Sequence, residues 1–490
     1  MKPARRSAER LQQRRLLNGA LAKPDPKSGV EGQASRDSAL GTAARCLARA
    51  GWALALLTAG CSGGPREPAP EPHTAANLKA APSAEAAETE PKPSVNDPFA
   101  GTLQEVAAAR GLAIRAPVRG LRVTRAEMLD EVEGEIEREV PAHAIEATRE
   151  ILVSLGLAPI DFDYATSIRR VMTAKLAGFY QPRTKTMYLA QDLPAMEQII
   201  TLNHELVHAL QDQHFGLGDR LRYREDAGDE QAALHALAEG DATSLMLDLM
   251  VRPQGKNALD IQGDILEGSE SLPPEAGEVP GVIVRSIIAP YRDGLEFVHW
   301  LRRRGGWAAV TAAWARPPVS TEQVIHPEKY QRGEAPLVVE VPAPPGAGWR
   351  ATYHDVMGEQ GLRAVLEEWR SPAAAAQAAS GWGGDRVAVY SLDDQRAVAW
   401  QMRSDDDASA RRLVSALDQG FFKAKPPSAP SGLGGVATKR CQGRALGALA
   451  LASKGRDVVV VVGAHPVAGT TGKSAGCPGA QRWAARIVGN

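Results

Sequence analysis

Two segments near the middle of the chain repeat apolar residues at helical spacing. In the first, Ile199, Ile200, Leu202, Leu206, Val207 and Leu210 recur along Ile199–Leu210, which predicts a largely buried helix. The second, Ala232–Thr243, is another helix-forming stretch. Upstream, Gly178–Leu189 reads as two short strands around a proline-containing turn. Helical periodicity also marks Met128–Arg138, Ala142–Leu155, Pro290–Arg304 and Trp307–Ala315. A proline-rich stretch, Val341–Pro345, then breaks the pattern as a boundary would. Beyond it the chain predicts a helix over Asp355–Trp369, strands over Arg386–Ser391 and Arg396–Met402, a helix over Ala408–Leu417 and a strand over Asp457–Val462. The expected class is α+β: a mostly helical unit with a hairpin over 98–345, and a smaller α+β unit of unreadable role over 346–490.

The first ninety-odd residues follow different rules. Arg45 and Arg49 precede the apolar or small run Ala50–Gly60, which ends at Cys61. Basic residues, a short apolar stretch and then a cysteine describe a lipoprotein signal peptide, too short to span a bilayer. Residues 1–60 are therefore expected to be leader and signal, with an unusually long n-region, and Cys61 to be acylated. Thr58 stands where leucine is usual in such a signal. Residues 61–97, rich in Pro, Ala and Glu, read as a disordered tether. The expected location is the cell envelope, lipid-anchored, and Ser62 is compatible with outer-membrane sorting. Of the four cysteines, Cys46 falls in the leader, leaving Cys441 and Cys477 as an even pair suited to a disulfide in an exported protein. Their spacing is wrong for a zinc clip. With 57 Lys and Arg against 58 Asp and Glu, the charge gives no reason to expect nucleic acid or an anionic surface as partner.

The chemistry lies on the first helix, as His204-Glu205-Leu206-Val207-His208. Residues four apart share a helix face, so both imidazoles can reach one metal ion while Glu205 stands beside them. Two histidines and a glutamate on a buried helix need partners, and a metal is the simplest. The plain alternative is a pair of satisfied histidines on an amphipathic helix. A catalytic zinc takes three protein ligands and keeps one position for water. Glu239, in Ala238-Glu239-Gly240-Asp241, is the expected third ligand. Its rival is His214, at the HExxHxxxxxH spacing of metzincins; Gln211 stands where that family has a glycine, and on a continuing helix His214 points about 240° from His208.

His204-Glu205-Leu206-Val207-His208 followed by Glu239-Gly240-Asp241-Ala242 resembles the gluzincin metallopeptidases, over roughly 178–240. The whole chain is also similar to a family of bacterial lipoproteins of uncharacterised role that carry this motif. The resemblance implies a zincin-like fold, a Zn2+ ion on His204, His208 and Glu239, and Glu205 as general base. Gluzincins of the thermolysin kind carry an acidic residue one turn after the glutamate ligand. Here that position is Thr243, with Asp212 a possible substitute in orienting the histidines. In zincins an edge strand before the metal helix holds the substrate backbone, a role the Met187–Ala190 strand could take; a plain structural hairpin is the alternative.

Hydrolysis builds an oxyanion that a positioned His, Tyr or Arg helps to hold. His326 is the first candidate and Tyr330 the second, with Tyr180 and His235 further options; a surface histidine in a Pro-bounded loop is the bland reading of His326. The function expected is zinc-dependent hydrolysis of peptide or protein substrates by a chain held to the membrane through its N-terminal lipid. The alternative is a catalytically inactive zinc-binding lipoprotein that acts as an envelope scaffold.

Overall fold

The computed structural model describes residues 98–261, 278–423, 440–467 and 474–489. The expectations placed on Cys46, on Cys61 and on the tether lie outside these residues. In the first half the order is α1 (Pro98–Arg110), β1 (Arg119–Val123), α2 (Arg125–Glu139), α3 (Ala142–Leu155), α4 (Tyr164–Lys175), β2 (Gly178–Gln181), β3 (Thr186–Ala190), α5 (Ala195–Phe215), α6 (Leu217–Leu221), α7 (Gly228–Val251), α8 (Gly281–Ala315), α9 (Thr321–Ile325) and α10 (Pro327–Arg332). The second half runs β4 (Arg350–Asp355), α11 (Gly358–Leu366), α12 (Pro372–Ala379), β5 (Trp382–Leu392), β6 (Gln395–Ser404), α13 (Asp407–Phe422), β7 (Arg440–Arg444), β8 (Gly447–Lys454), β9 (Asp457–Pro466) and α14 (Cys477–Gly489). The class is α+β.

Local chemistry starts and stops the helices. Thr124 and Glu127 form a capping box at the start of α2, and the Asp163 side chain accepts the Thr166 amide at the start of α4. Gly216, at φ 67°, ends α5 in the left-handed conformation that a side chain would disfavour. The helices expected over 290–304 and 307–315 are two pieces of α8, separated by non-helical backbone at Gly305 and Gly306.

The small sheet has the order β1-β3-β2, with β1 parallel and β2 antiparallel to β3. This corrects the edge-strand expectation: Met187–Ala190 is paired on both sides, and the free edges belong to β1 and β2. The sequence conceals β1, because Arg-Gly-Leu-Arg-Val carries two arginines and no clean alternation. The Asp355–Trp369 expectation also changes. Residues through Asp355 form β4, which pairs with β5, and the helix begins only at Gly358.

The second half is a six-stranded antiparallel sheet in the order β4-β5-β6-β9-β8-β7. Its two faces separate by the period of two along β9. Val458, Val460 and Val462 join a core with Leu413 and Leu417 of α13. Val459 and Val461 face Trp483 of α14 across alanines such as Ala399 and Ala450, whose small size admits the helix. A Cys441–Cys477 disulfide ties β7 to α14.

The two halves share one apolar core: Leu206 of α5, Ile287 and Ile288 of α8, Leu362 of α11 and Trp400 of β6 belong to the same cluster. Polar contacts cross the same boundary, with the Gly228 amide donating to Asp355 Oδ1 at 2.9 Å. No helix among the described residues is long and apolar enough to cross a membrane.

Candidate metal centre

The middle of α5 is buried on every face from Ile200 to Gln211. His204 and His208, one turn apart, turn their rings toward α7, where Glu239 is also buried. His204 Nε2 and His208 Nε2 are 3.2 Å apart, and Glu239 Oε2 lies 3.1 Å from the first and 3.7 Å from the second. Tetrahedral ligands about 2.0–2.1 Å from one zinc ion are roughly 3.3–3.4 Å apart, and the three separations straddle that spacing. His204, His208 and Glu239 form a buried group that could hold a metal ion.

Hydrogen bonds set the direction of each ligand. Gln211 Nε2 donates to the Ala238 carbonyl at 3.0 Å, so its amide oxygen must face His208 Nδ1, 2.8 Å away. An oxygen there can only accept. Nδ1 therefore carries a proton, and Nε2 is the His208 nitrogen left to face the ligand group. His235, one turn before Glu239, donates from Nε2 to Glu239 Oε1 at 3.0 Å and leaves Oε2 for the group. Burial works against the charge on Glu239, but the His208 charge and hydrogen bonds from His204, His208 and His235 outweigh it and hold the carboxyl well below the usual range.

Glu205 sits on the same helix with one oxygen engaged. The Tyr180 amide of β2 donates to Oε2 at 3.1 Å, while the buried Oε1 has no partner among the described residues. Burial, partly offset by His204 and His208, raises its carboxyl. Gly178 at the start of β2 lets this strand lie close. A Cβ there would come 2.7 Å from the Tyr188 carbonyl oxygen and 2.9 Å from Thr201 Cγ2.

The fourth wall is α8. Gly240 and Gly294 bring α7 and α8 to backbone contact, since a Cβ at Gly240 would collide with the Gly294 carbonyl and one at Gly294 with the Ala236 carbonyl. One turn before Gly294, the Tyr291 ring lies 6.0 Å from the His204 ring, centroid to centroid, and its hydroxyl bonds to Glu239. Burial and the Glu239 and Glu205 charges push that phenol well above its ordinary value. Asp241, two residues past Glu239, pins the assembly from behind. Its carboxylate accepts Arg110 Nε at 2.6 Å and Trp314 Nε1 at 2.9 Å, both buried.

The other candidates lie elsewhere. His214 faces away, its Nε2 bonded to the Ala113 carbonyl at 2.7 Å. Asp212 does not hold the histidines; it accepts the Tyr180 hydroxyl at 3.1 Å and the Gly218 amide at 3.0 Å. His326, the expected oxyanion donor, is not brought to the centre: its Nε2 pairs with Glu359 at 2.9 Å, at the junction with the second half. The Tyr330 hydroxyl donates to the Arg316 carbonyl at 2.9 Å. The sequence does not disclose the roles of two residues at the centre. Gln211 was findable as the i+3 neighbour of His208; Tyr291 carries no local signal, since only the crossing of α7 and α8 delivers it.

Comparison with known proteins adds one match. The family described as Domain of unknown function (DUF8575) matches residues 347–471, which excludes the metal group. No curated protein and no solved structure matches the chain.

Proposed function

We propose that this chain is a zinc-dependent metallopeptidase of gluzincin type, with a zincin-like first half, held in the cell envelope by a lipid on Cys61. The observation that carries the reading is the convergence of His204 Nε2, His208 Nε2 and Glu239 Oε2 beside a glutamate whose Oε1 has no partner among the described residues. A purely structural zinc site has no use for that fourth residue. When bound, the ion supplies a Lewis acid that lowers the pKa of a water and polarises a substrate carbonyl.

The chain's own residues do the rest. Glu205 takes the proton from the attacking water and hands it to the leaving amine. Tyr291 replaces His326 as the donor to the oxyanion, because its hydroxyl is the phenol that already reaches the ligand group. The edge of β2, whose Tyr180 amide already meets Glu205, is buried and takes the substrate backbone only once the centre opens. The disulfide between Cys441 and Cys477 accords with export.

One observation favours the scaffold reading. His204, Glu205, His208, Glu239 and Tyr291 are at most 3% exposed, with no open face for a substrate among the described residues. The deciding experiment measures zinc content and peptide-library cleavage for wild type and Glu205→Gln. About one zinc per chain in both, with chelator-sensitive cleavage in the wild type alone, is the expected result. Zinc without cleavage under any condition establishes the scaffold, and a wild type without zinc ends both readings.

A further inference from the structure

The burial of the metal group has a local cause. Of its walls, α5 and α7 carry the ligands and cannot leave without dismantling the centre. β2 is held in the sheet by β3 and to α5 through Glu205. The remaining wall is α8, which carries Tyr291 and brings that side chain to His204 and Glu239.

The second half of the chain grips α8 on both sides of Tyr291. Two residues after it, the buried Asp293 accepts Gln360 Nε2 at 2.6 Å and Arg363 Nη2 at 2.6 Å. Six residues before it, Arg285 donates to the Ala364 carbonyl at 3.1 Å and pairs with Glu368. Gln360, Arg363 and Ala364 all belong to α11, and Ile287 and Ile288 of α8 share the core with Leu362, Val365 and Leu366 of the same helix. These contacts cluster on the stretch of α8 that closes the centre. Beyond Arg302, which pairs with Asp248 of α7, the helix breaks at Gly305 and Gly306.

From this arrangement we infer that the second half is a latch: α11, through Asp293 and Arg285, holds α8 closed over a latent centre, and loosening that grip opens the centre to substrate. The inference builds on the metallopeptidase reading and gives the unit matched by DUF8575 a role. A buried ion pair costs most when one partner is removed, so the latch is sensitive to any event that displaces α11.

The test uses the full chain as wild type, Arg363→Ala, and the charge exchange Asp293→Arg with Arg363→Asp. The first measurement is amide hydrogen exchange across 285–295, which needs no metal. The second is the rate at which a chromogenic chelator strips bound zinc. The latch requires exchange in Arg363→Ala to quicken by about tenfold or more, protection to recover in the charge exchange, and zinc loss and peptide cleavage to rise alongside. Unchanged exchange in Arg363→Ala overturns the latch whatever the metal content. Exchange that quickens in a chain that holds no zinc keeps the latch and rejects the metallopeptidase. If Arg363→Ala fails to fold, Gln360→Ala, which removes one hydrogen bond and no charge, replaces it, and unchanged exchange there is equally fatal.

Discussion

Gln211 Oε1 lies 2.8 Å from His208 Nδ1 while Gln211 Nε2 reaches the Ala238 carbonyl, so one buried amide spans both metal-bearing helices and sets the tautomer of a ligand. A carboxylate at this place would add a second negative charge beside Glu239; the amide orients without charge. Gln211→Ala should therefore weaken zinc binding by about 10- to 100-fold, read by competition with a chelator of known affinity. Gln211→Glu should restore much of it. Equal affinity in Gln211→Ala and wild type would mean that the amide only ties the helices together.

Tyr291→Phe separates two jobs of one hydroxyl. Packing against His204 survives the change, so folding and zinc content should stay at the wild-type level. The turnover number of the opened enzyme should fall by about 100- to 1000-fold with little change in KM, the mark of a donor used in the transition state. A loss confined to KM would assign the hydroxyl to substrate binding instead.

Asp241→Asn tests what stands behind the centre. The substitution leaves the Arg110 guanidinium, wholly buried beside it, without its counter-charge, and a cost of about 3–5 kcal/mol is expected in urea unfolding. A change below about 1 kcal/mol would show that Thr311, which accepts from Arg110 Nη1 at 3.1 Å, and the Trp307 ring, 4.6 Å away, suffice to hold the guanidinium.

The junction between the halves predicts a pH dependence. Asp229 lies at the start of α7, where the Thr321 amide donates to it at 3.0 Å. Burial, opposed by its bonds from Thr321 and reinforced by the charges of Asp385 and Glu322, pushes its carboxyl up to about 8. The folded chain then keeps a proton that the unfolded chain has shed above about pH 4, so stability falls as pH rises from there through about 8 and levels off beyond. Asp229→Asn retains the amide oxygen for Thr321 and has nothing to ionise. Its Tm should decline less than the wild type's between pH 5 and 9 in scanning calorimetry; parallel declines would place the titration elsewhere.

What could be read without a structure was whatever depends on spacing along one element. The period of 3.6 put His204 and His208 on one face of one helix, with Glu205 beside them. The unbroken valine run from Val458 to Val462 announced a strand, and the arithmetic of the cysteines paired Cys441 with Cys477. Glu239 was within reach because it sits on the next strongly helical segment. What could not be read depends on how elements cross. Only tertiary structure puts Tyr291 over the ligands, because its approach is licensed by Gly240 and Gly294, on two helices far apart in the chain. Only the sheet's pairing moved Met187–Ala190 from an edge to the centre, since β1 supplies a neighbour that its own arginine-rich pattern conceals. His326 carried the chemistry asked of an oxyanion donor and lacked the position, which a Pro-bounded loop inherits from the elements it joins. Side-chain chemistry and helical period are local quantities written into the order of residues; distance between segments is set by which apolar faces bury each other, and that is decided by the whole chain at once.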